Sequence, residues 1–213
     1  MKYLLFSHGF GVRKDSNGMF SDIARAFPDY KPVMFDYNKH DSKSNLTTVY
    51  SYRKQAKILK NKITNIYRKD PGAIITVVAH SQGAIVAALC NQDTAKAILL
   101  APPSTVSAKR SKLRPNRKVR KNGSVMIFKK DGSRILLTTS FMLGLKLTNP
   151  IKIYEKLALR EPTVIIAAKQ DEMVNNDNLH KVRSAEVYEI DGDHNFTGEN
   201  RKGLIETLSK VLS

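Results

Sequence analysis

The chain has 213 residues, a length suited to a single domain, residues 1–213, with a sizeable core. Its 36 lysines and arginines against 19 acidic residues give a net charge of +17, a balance that bears on solubility and anionic partners rather than on fold. No apolar run is long enough to span a bilayer, and the lone cysteine, Cys90, excludes an intramolecular disulfide.

Leu4-Leu5-Phe6 reads as a short buried strand, and Ser7-His8-Gly9-Phe10-Gly11 as the loop at its end. This N-terminal apolar piece is too short for the core of a secretion signal, so a cytoplasmic protein is expected. A helix follows through Met19, Phe20, Ile23, Ala24 and Phe27 until Pro28 stops it. Pro32-Val33-Met34-Phe35 is a second strand, and residues 37 to 45 read as a polar loop. From near Asn45, Val49, Tyr52, Ala56, Leu59, Ile63 and Ile66 step by three and four, which predicts a long amphipathic helix ending at Asp70-Pro71-Gly72.

The β-branched run Ile74-Ile75-Thr76-Val77-Val78 is a third strand, and Ala84-Ile85-Val86-Ala87-Ala88-Leu89 is a helix of small residues. Between them lies Ala79-His80-Ser81-Gln82-Gly83. A serine at a sharp strand-to-helix turn needs small residues two before and two after it, because the strained backbone leaves no room for bulk. Taken alone, the stretch fits equally well a serine that merely caps the helix.

Ala97-Ile98-Leu99-Leu100-Ala101 is a fourth strand, stopped by Pro102-Pro103. Val164-Ile165-Ile166-Ala167-Ala168 is a fifth, followed by the polar loop Lys169-Gln170-Asp171-Glu172 and a short helix from about Asn176 to Arg183. Ala185 to Ile190 is a sixth strand, followed by Asp191-Gly192-Asp193-His194-Asn195-Phe196 and a last helix carrying Leu204, Ile205, Leu208, Val211 and Leu212. Continuous apolar strands separated by helices predict an α/β fold: about six mostly parallel strands with helices on both faces. Right-handed crossovers then bring every strand C-terminus to one edge, where ligands bind.

Ser81, Asp171 and His194 each follow a strand and fall on that edge. A serine hydroxyl becomes a nucleophile when a histidine takes its proton, and the histidine needs an acid to fix its tautomer. Glu172, Asp191 and Asp193 are the competing acids. His8-Gly9-Phe10 stands where a second oxyanion donor is required, so the expected pair is the backbone N–H of Phe10 with that of Gln82, with Gly9 permitting close approach. His8 and His80 lie in different loops and lack the acidic or thiol neighbours of a metal site, so no metal is expected, and a serine–histidine–acid mechanism needs no organic cofactor. His40 and His180 read as surface residues, and Cys90 as a small core residue.

With Ser7-His8-Gly9-Phe10, Ala79-His80-Ser81-Gln82-Gly83-Ala84, Lys169-Gln170-Asp171-Glu172-Met173-Val174 and Gly192-Asp193-His194-Asn195-Phe196, the chain resembles a small serine hydrolase of the α/β-hydrolase superfamily, of the lipase, carboxylesterase or thioesterase kind. The resemblance implies a Ser81–His194–Asp171 triad acting on an ester or thioester through an acyl-enzyme. Ala79 replaces the superfamily's usual first glycine but resembles the Ala-His-Ser-x-Gly elbow of small bacterial lipases. The two strands that begin larger members are missing, which implies a reduced version.

The resemblance also implies a cap or lid inserted at about 102 to 162, where the strand–helix alternation breaks down. Two apolar runs around Asp131-Gly132 predict a β-hairpin there, followed by one or two helices. Between Lys109 and Arg134 stand eleven lysines and arginines against Asp131 alone. This basic region reads either as a solvated loop or as a surface for an anionic substrate or anionic membrane. It lacks the interleaved aromatics of a dedicated nucleic-acid site. The alternative to a hydrolase is a non-catalytic binding protein on the same scaffold, using the basic cap to hold anionic lipid or nucleic acid.

Overall fold

The computed structural model describes residues 1–106 and 116–212. Part of the basic run (Lys109, Arg110, Lys112 and Arg114) lies outside the described residues.

The body is built from β1 (Lys2–Ser7), α1 (Met19–Ala26), β2 (Lys31–Met34), α2 (Tyr52–Lys69), β5 (Ile74–His80), α3 (Gln82–Leu89), β6 (Lys96–Leu100), β10 (Thr163–Ala168), β11 (Glu186–Ile190) and α6 (Asn200–Leu212). Among the described residues, six strands form one sheet in the order β11-β10-β6-β5-β1-β2. Every neighbouring pair in it is parallel, as the continuous apolar runs predict.

Successive residues of each strand serve opposite faces. Leu5, Val77, Ala79, Leu99 and Ile165 join one apolar cluster with α2 and α3. Leu4, Phe6, Val78, Ile98 and Ile166 join the other with α1 and α6. Cys90 is buried in the first cluster, and burial pushes its thiol up to about 12. From β1 the chain runs first to β2 on one side and later to β5 on the other, so the strand order reverses between β1 and β5. Crevices at such reversals are where open α/β sheets bind ligands.

The segment 37–49 departs from the sequence reading. It forms two strands, β3 (Lys39–Asp41) and β4 (Leu46–Val49), rather than a loop and the start of a helix. Thr47-Thr48-Val49 is β-branched, and β4 finds a parallel partner in β9 (Arg134–Leu137), with Val49 opposite Leu137. Helix α2 therefore starts at Tyr52, where the Ser51 hydroxyl accepts the Lys54 N–H at 3.3 Å.

A second sheet runs β3-β4-β9-β8-β7, with β7 at Arg117–Val119 and β8 at Val125–Phe128. The β8–β9 hairpin turns at Asp131-Gly132 as read from the sequence, whereas β7 lies within what reads as a charged run. After it come α4 (Thr139–Leu147) and α5 (Pro150–Ala158). Tyr154 and Leu157 of α5 belong to the same core cluster as β5 and α3, so α5 is part of the body. The short helix predicted over 176–183 shrinks to one 3₁₀ turn, Leu179–Lys181. Among the described residues, no helix is long and apolar enough to cross a membrane.

Candidate active site

Ser81 sits between the last residue of β5 and the first of α3, with φ 53° and ψ −121°. Only a strained turn puts a non-glycine residue there, and the surroundings hold it. Its N–H donates to the Leu100 carbonyl at 2.9 Å, and its carbonyl accepts from Ala84 at 3.0 Å. Gly83 is fixed by contact: a Cβ on it would lie 2.0 Å from the Ser7 carbonyl oxygen. The Ser7 hydroxyl donates to the Gly83 carbonyl at 2.9 Å and accepts from the buried Tyr37 hydroxyl at 2.7 Å. Ala79 is fully buried between Ser7 of β1 and Leu99 of β6.

The Ser81 hydroxyl makes no cap hydrogen bond to α3. Its Oγ lies 2.9 Å from His194 Nε2, and His194 Nδ1 lies 2.7 Å from Asp171 Oδ2. The Asp171 side chain is fully buried, and its other oxygen accepts the N–H groups of Met173 and Val174, both at 2.9 Å. Three loops from three strand ends thus meet in one hydrogen-bonded chain. The competing acids are engaged elsewhere. Asp193 holds the N–H and hydroxyl of Thr197, Asp191 faces Gln170 and Lys169, and Glu172 accepts the His194 backbone N–H.

The loop after β1 lies against the same serine: a Cβ on Gly9 would stand 3.3 Å from Ser81 Cβ. His8 rigidifies this loop. Its Nε2 accepts the Tyr37 N–H at 3.1 Å, so its Nδ1 carries the proton given to the Gly9 carbonyl at 2.9 Å. Among the described residues, neither the Phe10 nor the Gln82 backbone N–H has a hydrogen-bond partner. Gln82 is also anchored through its side chain, which donates to Gln55 at 3.0 Å.

His80 supplies a support that its position in the elbow motif does not spell out. Its ring is buried, and Nε2 lies 2.9 Å from the His194 carbonyl. A carbonyl only accepts, so Nε2 carries the proton and Nδ1 accepts from the Ser16 hydroxyl at 3.3 Å. Burial, reinforced by the neighbouring His194, lowers the His80 pKa to about 3. Arg201 completes the clamp, donating to the carbonyls of Asn195 and Phe196 at 2.9 and 3.0 Å and to Asp22 at 2.8 Å. Three successive carbonyls of the His194 loop are thereby held by side chains from β5 and α6. Nothing in the sequence marks Arg201 or Ser16, which read as an ordinary helix charge and a loop serine. His40 and His180 are exposed.

Beside Ser81 opens a cavity of ≈ 210 Å³. Phe10, Ser81 and Gln82 border it on the side of the main sheet, and Arg117, Ile127 and Leu137 of the second sheet on the other. Phe141 and Leu145 of α4 reach into it. Phe141 stacks on Phe10 with ring centroids 6.0 Å apart and meets Tyr52 edge-on at 5.2 Å. Apolar walls of this kind take the hydrocarbon part of a ligand. Among the described residues, no cluster of three His, Cys, Asp or Glu side chains suited to a metal ion occurs, and both ring nitrogens of His8 and of His80 are engaged by protein groups.

The sequence matches no protein-family model and no curated protein. Solved structures do match. Est1E from Butyrivibrio proteoclasticus, with ferulic acid bound, superposes with a TM-score of 0.75 at 12% identity, covering 100% of this chain and 88% of that one. The esterase domain of a Rhodothermus marinus protein gives 0.67 at 18% identity, covering 98% and 85%. A monoacylglycerol lipase from Paleococcus ferrophilus gives 0.65 at 14% identity, covering 98% and 94%.

Proposed function

We propose that this chain, which has the α/β-hydrolase fold, is a serine hydrolase of carboxylic esters or thioesters. The observation that carries the reading is the continuous hydrogen-bonded chain Ser81–His194–Asp171 at 2.9 and 2.7 Å. The esterases and lipase among its structural neighbours are consistent with it.

In this mechanism Ser81 Oγ attacks the acyl carbon while His194 Nε2 takes the hydroxyl proton. Asp171 holds the Nδ1 proton of His194 and stabilises the imidazolium that forms. The N–H groups of Phe10 and Gln82 receive the oxyanion, and the positive end of α3 adds to that field. His194 then gives its proton to the leaving alcohol or thiol. Water, deprotonated by the same nitrogen, attacks the acyl-enzyme and releases the acid. The largely apolar walls of the cavity, Phe10, Ile85, Ile127, Leu137 and Phe141 among them, favour a hydrocarbon acyl group.

A fluorophosphonate probe tests the reading directly. Folded protein is expected to be labelled at Ser81, and Ser81→Ala and His194→Ala to lose the label. Unlabelled folded protein, or labelling unchanged in His194→Ala, overturns it and leaves a binding role on a hydrolase scaffold.

A further inference from the structure

Tyr52 opens α2 and is only 3% exposed. Its ring is held by α4: Phe141 meets it edge-on at 5.2 Å, and a Cβ on Gly144 would lie 3.3 Å from its Cδ2. Other phenols buried as deeply in the same cluster are paired. Tyr37 donates to the Ser7 hydroxyl at 2.7 Å, and Tyr154 to the Pro103 carbonyl at 3.2 Å. Among the described residues the Tyr52 hydroxyl has no hydrogen-bond partner, and burial alone raises its pKa.

That hydroxyl is not sealed in the core as the Asn38 amide nitrogen is, so it reaches open space. Two hollows border Tyr52: the cavity beside Ser81 and a groove beyond Gly144. Tyr154 separates them. Charge on Tyr52 opposes ionisation of Tyr154, so the two phenol ends lie near each other. The Pro103 carbonyl that accepts from Tyr154 belongs to a wall of the Ser81 cavity and not of the groove. The Tyr52 hydroxyl therefore looks into the cavity beside Ser81.

The position of His194 decides which arm of an ester meets it. A leaving oxygen has to lie against His194 Nε2 to receive the proton. His194 is not among the walls of the cavity, whereas Phe10, Ile85 and Phe141 are. The cavity thus takes the acyl side of the scissile bond. A hydroxyl left unpaired between apolar walls is costly, and a site built around one rejects ligands that cannot pair it.

Resting on the hydrolase reading above, we infer that the acyl group of the substrate carries a neutral oxygen, a carbonyl or hydroxyl set along its hydrocarbon chain, that pairs with the Tyr52 hydroxyl. Tyr52 then selects among acyl groups without taking part in the acyl transfer.

The test compares kcat/KM within two sets of 4-nitrophenyl esters: hexanoate with its 4-oxo and 5-oxo analogues, and 3-phenylpropanoate with 3-(4-hydroxyphenyl)propanoate. Each polar member differs from its parent by one oxygen function. The wild type is expected to favour at least one polar ester over its parent by about threefold to tenfold, the range for a neutral hydrogen bond. Tyr52→Phe keeps the ring against Phe141 and removes only the hydroxyl. It is expected to abolish that preference, mainly through KM, with no fall in Tm, since the hydroxyl bonds nothing in the free protein. Because the readout is a ratio, a change in the amount of folded enzyme cancels. A wild-type preference for every apolar parent overturns the inference. So does a ratio identical in wild type and Tyr52→Phe, whether Tm falls, which assigns the hydroxyl to the fold, or holds, which leaves it merely hydrated. Ser81 labelling still stands in each of these cases. Failure of Ser81 to label defeats the hydrolase reading and this inference with it.

Discussion

The ring of His80 donates from Nε2 to the main-chain carbonyl of His194 at 2.9 Å, so the residue before Ser81 holds the loop that carries His194. His194 and Ser81 are thus positioned by one strand end. His80→Ala is expected to lower kcat by about tenfold to a hundredfold with little change in KM, since small misplacements of reacting groups cost that much. It also leaves a buried carbonyl unpaired, at about 1–3 kcal/mol of stability. His80→Gln restores an N–H of similar reach and should recover part of kcat. A stability loss with unchanged kcat would show that the ring only fills space.

Asp171→Asn is a geometric test of the acid. The Met173 and Val174 N–H groups hold Oδ1, so the asparagine keeps its oxygen there and turns its NH₂ toward His194 Nδ1. The imidazole is then forced into the tautomer whose Nε2 bears hydrogen and cannot take the serine proton. Turnover of a 4-nitrophenyl ester should fall by ~10⁴ with Tm little changed. Residual activity near wild type would point to another acid.

Two glycines make opposite predictions. Gly83→Ala drives a Cβ to 2.0 Å from the Ser7 carbonyl, a backbone atom that cannot step aside. A loss of about 3 kcal/mol or more is expected in urea unfolding, the upper end for overpacking. Gly203→Ala, in α6, meets nothing within 4 Å and should gain about 0.5–1 kcal/mol of helix propensity.

Acid stability follows from two buried neutral histidines. Burial lowers the pKa of His8 and takes that of His80 from 6.5 to about 3. The unfolded chain therefore binds protons first as pH falls. The stabilisation is complete above the unfolded pKa of 6.5 and is lost as pH drops from there toward 3. Each histidine contributes a slope of up to about 1.4 kcal/mol per pH unit. Urea midpoints should fall steadily from about pH 7 to about pH 4, and His80→Gln should flatten the profile. Midpoints flat across that range would contradict it.

The main sheet is legible because its central strands are largely apolar runs, and Ser81 and Asp171 each trail one, while His194 trails the mixed edge strand Glu186–Ile190. The short strands are not. Lys39–Asp41 and Leu46–Val49 carry too few residues to show a period, and the partner that makes Leu46–Val49 a strand lies far along the chain. Arg117 and Arg201 show the same limit for side chains. Both are arginines among many, and only register in one case and a loop crossing in the other separate them from surface charge.

The parallel pairing of Leu46–Val49 with Arg134–Leu137 makes the roof of the cleft a joint product of two distant chain segments. The lining of this cleft is therefore not a transferable cassette. A chimera that exchanges residues 102 to 162 alone removes Arg134–Leu137 and leaves the edge of Leu46–Val49 that it paired bare, an invitation to aggregation. Recombination that carries residues 39 to 49 along with the insertion keeps the roof whole.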